Sequence, residues 1–134
     1  IPASNSVLAR HLFALSVYFD NPHYENTARK MLEHMVSSID YPSAFSNWLS
    51  LLLHFFEQKE LAICGTDAKR YASEINRQYL PDLLLAATEN ASSLPFLKDR
   101  FPESGTLFYV CQNKACELPT TDFANVNKDL KPSI

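Results

Sequence analysis

Glycine is nearly missing from this 134-residue chain: Gly65 and Gly105 are the only two. A Gly-x-Gly-x-x-Gly fingerprint or a glycine-rich loop before Lys-Ser/Thr therefore cannot be assembled, and Gly65-Thr66-Asp67 reads as an ordinary strand-to-helix turn. Cysteine is scarce as well. Cys64, Cys111 and Cys116 are odd in number and unevenly spaced, which suits reduced thiols in a cytoplasmic protein better than a disulfide framework or a zinc site. His11, His23, His34 and His54 share no ligand spacing, so neither a metal nor a cofactor is expected. Basic residues never run beyond adjacent pairs (Arg29-Lys30, Lys69-Arg70), and the net charge is −3, which disfavours nucleic acid as a partner. The longest apolar-rich run, residues 48–56, is broken by Ser50 and His54 and is too short to cross a bilayer, so no membrane is expected. No signal-peptide pattern opens the chain, and its start at Ile1 instead of Met suggests a processed product or an excised piece.

No Ser-His-Asp or paired-carboxylate arrangement can be assembled either. Glu57, Glu60 and Asp67 cluster in sequence, but nothing sets two of them across a substrate. The catalytic residues are therefore unknown, and whether the chain is an enzyme stays open.

What is present is core-forming material, 46% apolar and 12% aromatic residues, in a length that suits one domain's worth of burial. Ser4 or Asn5 can cap a first helix with Leu8, Leu12, Leu15 and Phe19 on one stripe. Asn21-Pro22 stops it and starts a second, where Ala28, Met31, Leu32, Met35, Val36 and Ile39 follow the i, i+3, i+4, i+7 pattern. After Asp40-Tyr41-Pro42-Ser43 a third helix runs through Phe45, Trp48, Leu49, Leu52, Leu53, Phe55 and Phe56, apolar over more than one face. Short links make the three antiparallel neighbours, with the starts of the first and third at one end.

The period then changes. Short apolar runs at 61–64, 83–87 and 106–111 read as strands, with a helix through Tyr71, Ile75 and Tyr79 between the first two. Strand, helix, strand implies parallel pairing, and the connection over residues 88–105 is long enough for a second crossover around a turn at Phe96-Leu97. A last short helix starts at Thr120 or Thr121, and residues 128–134 are expected to fray. The expected class is mixed α+β: three antiparallel helices over 1–58, then a small three-stranded, mainly parallel βαβ appendage over 59–134. Such a layer leaves apolar faces uncovered, so a partner is expected: the remainder of a parent chain or a second copy.

Three motifs in order, Pro2-Ala3-Ser4-Asn5-Ser6, Tyr41-Pro42-Ser43-Ala44 and Tyr109-Val110-Cys111-Gln112-Asn113-Lys114-Ala115-Cys116 followed by Pro119-Thr120-Thr121-Asp122, carry a family likeness. The chain resembles the C-terminal fifth of the thioredoxin-domain-containing, YyaL-like family. That resemblance implies a long parent with an N-terminal thioredoxin-like domain and an (α/α)-barrel of the six-hairpin glycosidase kind. This chain would supply the barrel's last helices and a small appendage, non-catalytic alone. No firmly established reaction comes with the resemblance; carbohydrate processing in the full chain is a fold-level analogy.

Two constellations could carry chemistry. Asn5, Ser6, Tyr41 and Ser43 gather at helix starts, where unpaired N–H groups suit sugar hydroxyls of a carbohydrate-like small molecule. The plainer reading, and the one favoured, is that Asn5, Ser6 and Ser43 are ordinary caps and Tyr41 a staple onto its helix. Cys111 and Cys116 are close enough along the chain for a turn to bring them within the ~7 Å that a disulfide needs. They could also be reactive thiols with Lys114 as neighbouring cation, or a buried core thiol plus a loop cysteine. Parallel first and third strands would put Cys64 on the same sheet edge as Cys111. Joined to the resemblance, the pair reads as a redox element exchanging electrons with the thioredoxin-like domain.

Overall fold

A computed structural model describes residues 4–130, which form two compact units divided between Glu57 and Gln58. The fold is mixed α+β, with five α-helices and a four-stranded mixed sheet among the described residues.

The first unit holds α1 (Ser4–Tyr18), α2 (Pro22–Val36), a 3-10 turn (Pro42–Phe45) and α3 (Ser46–Glu57). Asn21 caps α2, its side chain accepting from the backbone N–H groups of His23 and Tyr24, with Pro22 as the first helical residue. Ser4 and Asn5 are not caps: α1 already includes both in its first turn. The buried side of α1 also differs from expectation. Ala9, Phe13, Ser16 and Val17 face inward, while Leu8 and Phe19 are each 51% exposed. The physical reason is fit. Ala9 and Ala28 are both fully buried, so two small residues let α1 and α2 approach closely, and Phe13 fills the remaining space edge-on to Phe55 at 4.7 Å. Of the expected stripe, Leu12 does pack against the core, while Leu8, Leu15 and Phe19 lie on a second stripe, and periodicity cannot say which of two stripes meets a partner. In α3, Trp48, Leu51 and His54 are buried, whereas Leu53 and Phe56 are turned out.

The second unit runs β1 (Lys59–Gly65), α4 (Ala68–Asn76), β2 (Leu83–Thr88), β3 (Thr106–Gln112), β4 (Ala115–Cys116) and α5 (Phe123–Asp129). Sheet order is β2-β1-β3-β4. β1 and β2 are parallel across α4, as a strand–helix–strand crossover requires. β3 is antiparallel to β1, which corrects the expectation of a mainly parallel three-stranded sheet. Residues 89–105 carry only a turn around the buried Phe96 and Leu97, not a crossover helix, so the chain re-enters at the end where β1 and β2 finish. A fourth strand then folds back through Asn113 and Lys114, both at positive φ, as a two-residue hairpin demands.

One face of this sheet packs Leu61, Ile63 and Phe108 against Ala68 and Ile75 of α4 and Val126 of α5. Asp122, not Thr120 or Thr121, caps α5 by accepting from the Asn125 N–H; Thr120 is instead bridged to Phe108. Of the stretch expected to fray, residues 128–130 are anchored, Leu130 being 3% exposed and the Asp129 carbonyl accepting from Lys59 Nζ. Residues 131–134 lie outside the described part, as do Ile1, Pro2 and Ala3. Gly65 closes β1 at φ +139°, where an added Cβ would collide with the Gly105 carbonyl. We expect Gly65→Ala to destabilise the second unit by about 2 kcal/mol or more, read as a lower urea midpoint.

Candidate functional site

Antiparallel register decides what meets on the other face of the sheet. Glu60 sits opposite Cys111, Ala62 opposite Tyr109 and Cys64 opposite Leu107, and directly opposed residues project to the same side. Cys64 therefore lies at the far end of β1 from Cys111, which corrects the shared edge that parallel strands would have given. Cys64 is a free, fully buried thiol whose pKa is pushed up by burial.

Cys111 and Cys116 are joined in a disulfide, with Cα atoms 3.9 Å apart across the β3–β4 ladder. The free-thiol reading thus holds for Cys64 and not for this pair. Cys111 is 1% exposed, while Cys116 sits on the exposed short edge strand. The cation at the sulfurs is Arg100, not Lys114. Its guanidinium donates toward Cys111 Sγ at 3.8 Å and Cys116 Sγ at 3.5 Å. Arg100 is fixed from several sides: it lies 5.0 Å from the Tyr109 ring centroid and 5.3 Å from that of Phe96, and its carbonyl accepts from Tyr109 Oη. Nothing in the sequence pointed to Arg100, because the loop that delivers it lacks a periodic pattern.

Beneath the hairpin lies Glu60, 2% exposed, whose Oε1 accepts from the Lys114 backbone N–H at 3.2 Å. Burial outweighs that bond and the charges of Lys114 and Arg100, and raises the carboxyl above its ordinary range. Gln58, also 2% exposed, ties the strand ends together: its carbonyl accepts from Asn113 N–H, and its side-chain amide donates to the Asp82 carbonyl. In the sequence Glu60 stood out only as one of a carboxylate cluster with Glu57 and Asp67, and Gln58 not at all; the placement of Glu60 opposite Cys111 comes from strand register, which has no local motif.

The other constellation lies in the first unit. Ser6 is buried, its Oγ accepting from Asn47 Nδ2 at 2.8 Å, and Arg10 donates to Asn47 Oδ1 at 2.9 Å. This network ties the starts of α1 and α3 together at one end. Asn5 and Ser43 are exposed, and Tyr41, 66% exposed, precedes the 3-10 turn without a side-chain capping bond. Among the described residues, no group of three or more His, Cys, Asp or Glu side chains is placed to hold a metal, and no helix is long and apolar enough to cross a membrane.

No protein-family model matches the chain, and no solved structure matches it. Over 85 residues the chain is 35% identical to spermatogenesis-associated protein 20 of Homo sapiens. The match covers 55% of this chain and 11% of that protein, so this chain spans only a small part of its relative's length. The similarity is partial and assigns no activity, but it agrees with the motifs that resemble a thioredoxin-domain-containing family.

The raised carboxyl gives a signed expectation. Glu60 holds its proton more tightly folded than unfolded, so its stabilising contribution is complete below the ordinary carboxylate range and is lost as pH rises through the folded-state titration. The urea midpoint of the wild type should therefore fall relative to Glu60→Gln as pH increases from acid toward neutral. Parallel pH profiles would show that the carboxyl is not held protonated by burial.

Proposed function

We propose that this chain is the C-terminal part of a longer thioredoxin-domain-containing protein and that its own chemical contribution is a reducible disulfide, Cys111–Cys116. The observation that carries the reading is the Arg100 guanidinium aimed at both sulfurs. A disulfide sulfur is a weak acceptor, but a thiolate is a strong one, so the same donors bind the reduced pair better than the oxidised pair. Such an arrangement favours reduction, and it leaves Cys116 open to solvent for exchange. The thioredoxin-like domain implied by the family resemblance is the natural electron donor for it.

A second reading concerns the first unit and rests on its exposed stripe. Leu8 and Phe19 at 51%, Leu15 at 38%, and Leu53 and Phe56 at 60% and 66% leave more apolar surface bare than a helix layer keeps by itself. In this reading α1, α2 and α3 are structural and complete an (α/α)-barrel-like layer whose other helices belong to the parent chain. The partial coverage of the human relative supports it.

Each reading has its own measurement. The Cys111–Cys116 pair is expected to equilibrate with a dithiothreitol redox buffer at a midpoint above about −300 mV, the level below which structural disulfides typically lie; a lower midpoint contradicts a redox role. For the helical unit, Leu15→Cys should react readily with a maleimide in this chain and be protected in the longer parent protein. Equal labelling in both would remove the structural reading.

A further inference from the structure

Resting on the redox reading above, we propose that the site is directional: an incoming dithiol attacks Cys116, Cys111 is the leaving sulfur, and Glu60 is the acid that protonates it. Three placements carry this. Cys116 lies on the exposed edge strand while Cys111 is 1% exposed, so a thiolate approaching along the sulfur–sulfur axis from solvent reaches the Cys116 side. Glu60 is opposite Cys111 in the ladder, and opposed side chains of an antiparallel pair sit as nearest neighbours on one face. Arg100 spans both sulfurs and so holds whichever carries the negative charge.

A thiolate of the dithiol forms a bond to Cys116 Sγ, the Cys111–Cys116 bond breaks, and its electron pair passes to Cys111 Sγ. Arg100 holds that thiolate until the Glu60 carboxyl gives it a proton. The second thiol of the reductant, once deprotonated, attacks the mixed disulfide and expels the Cys116 thiolate onto Arg100. The dithiol leaves as a disulfide, and the pair has gained two electrons. Glu60 regains its proton from solvent. Burial, which raises the Glu60 carboxyl, keeps that proton available nearer neutral pH than an exposed carboxyl would.

The charged and titratable groups facing Glu60 are few. Arg100 comes from the loop before β3, and Lys114 presents both its N–H and its charge from the hairpin turn. Tyr109 and Cys64 lie on the same face, and Cys64 is four residues further along β1, about 13 Å away at strand spacing. On the other flank β2 offers Leu84, the apolar register partner of Glu60. Among the described residues, Glu60 is the acidic side chain directly opposite Cys111 in the ladder.

The test uses the whole 134-residue chain. In Cys111→Ser the remaining Cys116 should react with Ellman's reagent about tenfold or more faster than Cys111 does in Cys116→Ser. Equal or reversed rates overturn the direction. The wild-type rate of reduction by dithiothreitol, divided by the dithiothreitol thiolate concentration, should fall as pH rises through the Glu60 titration and stay flat in Glu60→Gln. The same profile in both overturns the role of Glu60. A wild-type disulfide that native dithiothreitol cannot open sinks the redox reading itself, whereas one that opens without asymmetry or pH dependence sinks only this inference.

Discussion

The register of β1 against β3, Lys59 opposite Gln112 through Gly65 opposite Thr106, is the constraint on which the chemistry of this chain depends. Side chains alternate faces along a strand, so a slip of one residue would move Glu60 away from the face of Cys111 and turn Leu61 and Ile63 out of the core. The register is pinned at both ends. At one end Gly65 lets the backbone of β1 touch that of Gly105 and Thr106, where no side chain fits. At the other, the Gln58 carbonyl accepts from Asn113 in the hairpin turn. Between them, the apolar face packs on α4 and α5, and the opposite face is free to hold a buried carboxyl, an arginine and two bonded sulfurs.

That division explains how a polar cluster survives on a small sheet. A buried carboxyl is costly unless it is hydrogen-bonded or protonated, and Glu60 has the Lys114 N–H as one partner. Arg100 is only half-buried and is flanked by the rings of Tyr109 and Phe96, which interact favourably with a guanidinium. The first unit has the opposite economy. It spends its small residues, Ala9 and Ala28, on a close helix pair and leaves its larger apolar side chains outside.

Much of the fold was legible. The stop-and-start at Asn21-Pro22 was readable because a cap followed by proline has one local meaning, and the three apolar runs at β1, β2 and β3 had no rival assignment. Direction was not legible. Residues 89–105 are long enough for a crossover, and only the tertiary fit of Phe96 and Leu97 shows that the chain turns back. α1 carries two usable stripes, and the choice between Leu8, Leu15 and Phe19 or Ala9, Phe13 and Ser16 depends on a partner surface. At the site, Cys111 and Cys116 stood out by type, yet their bonding follows from a two-residue turn at positive φ, and Arg100 and Glu60 reach them through pairing that has no trace in local spacing.

The most direct measurement is a peptide map of the native protein, alkylated before digestion, once after air oxidation and once after brief exposure to a dithiol without denaturant. The account predicts a linked Cys111–Cys116 peptide with Cys64 unpaired in the first sample, and alkylated Cys111 and Cys116 in the second. Three separately alkylated cysteines after oxidation, or a link to Cys64, would contradict it.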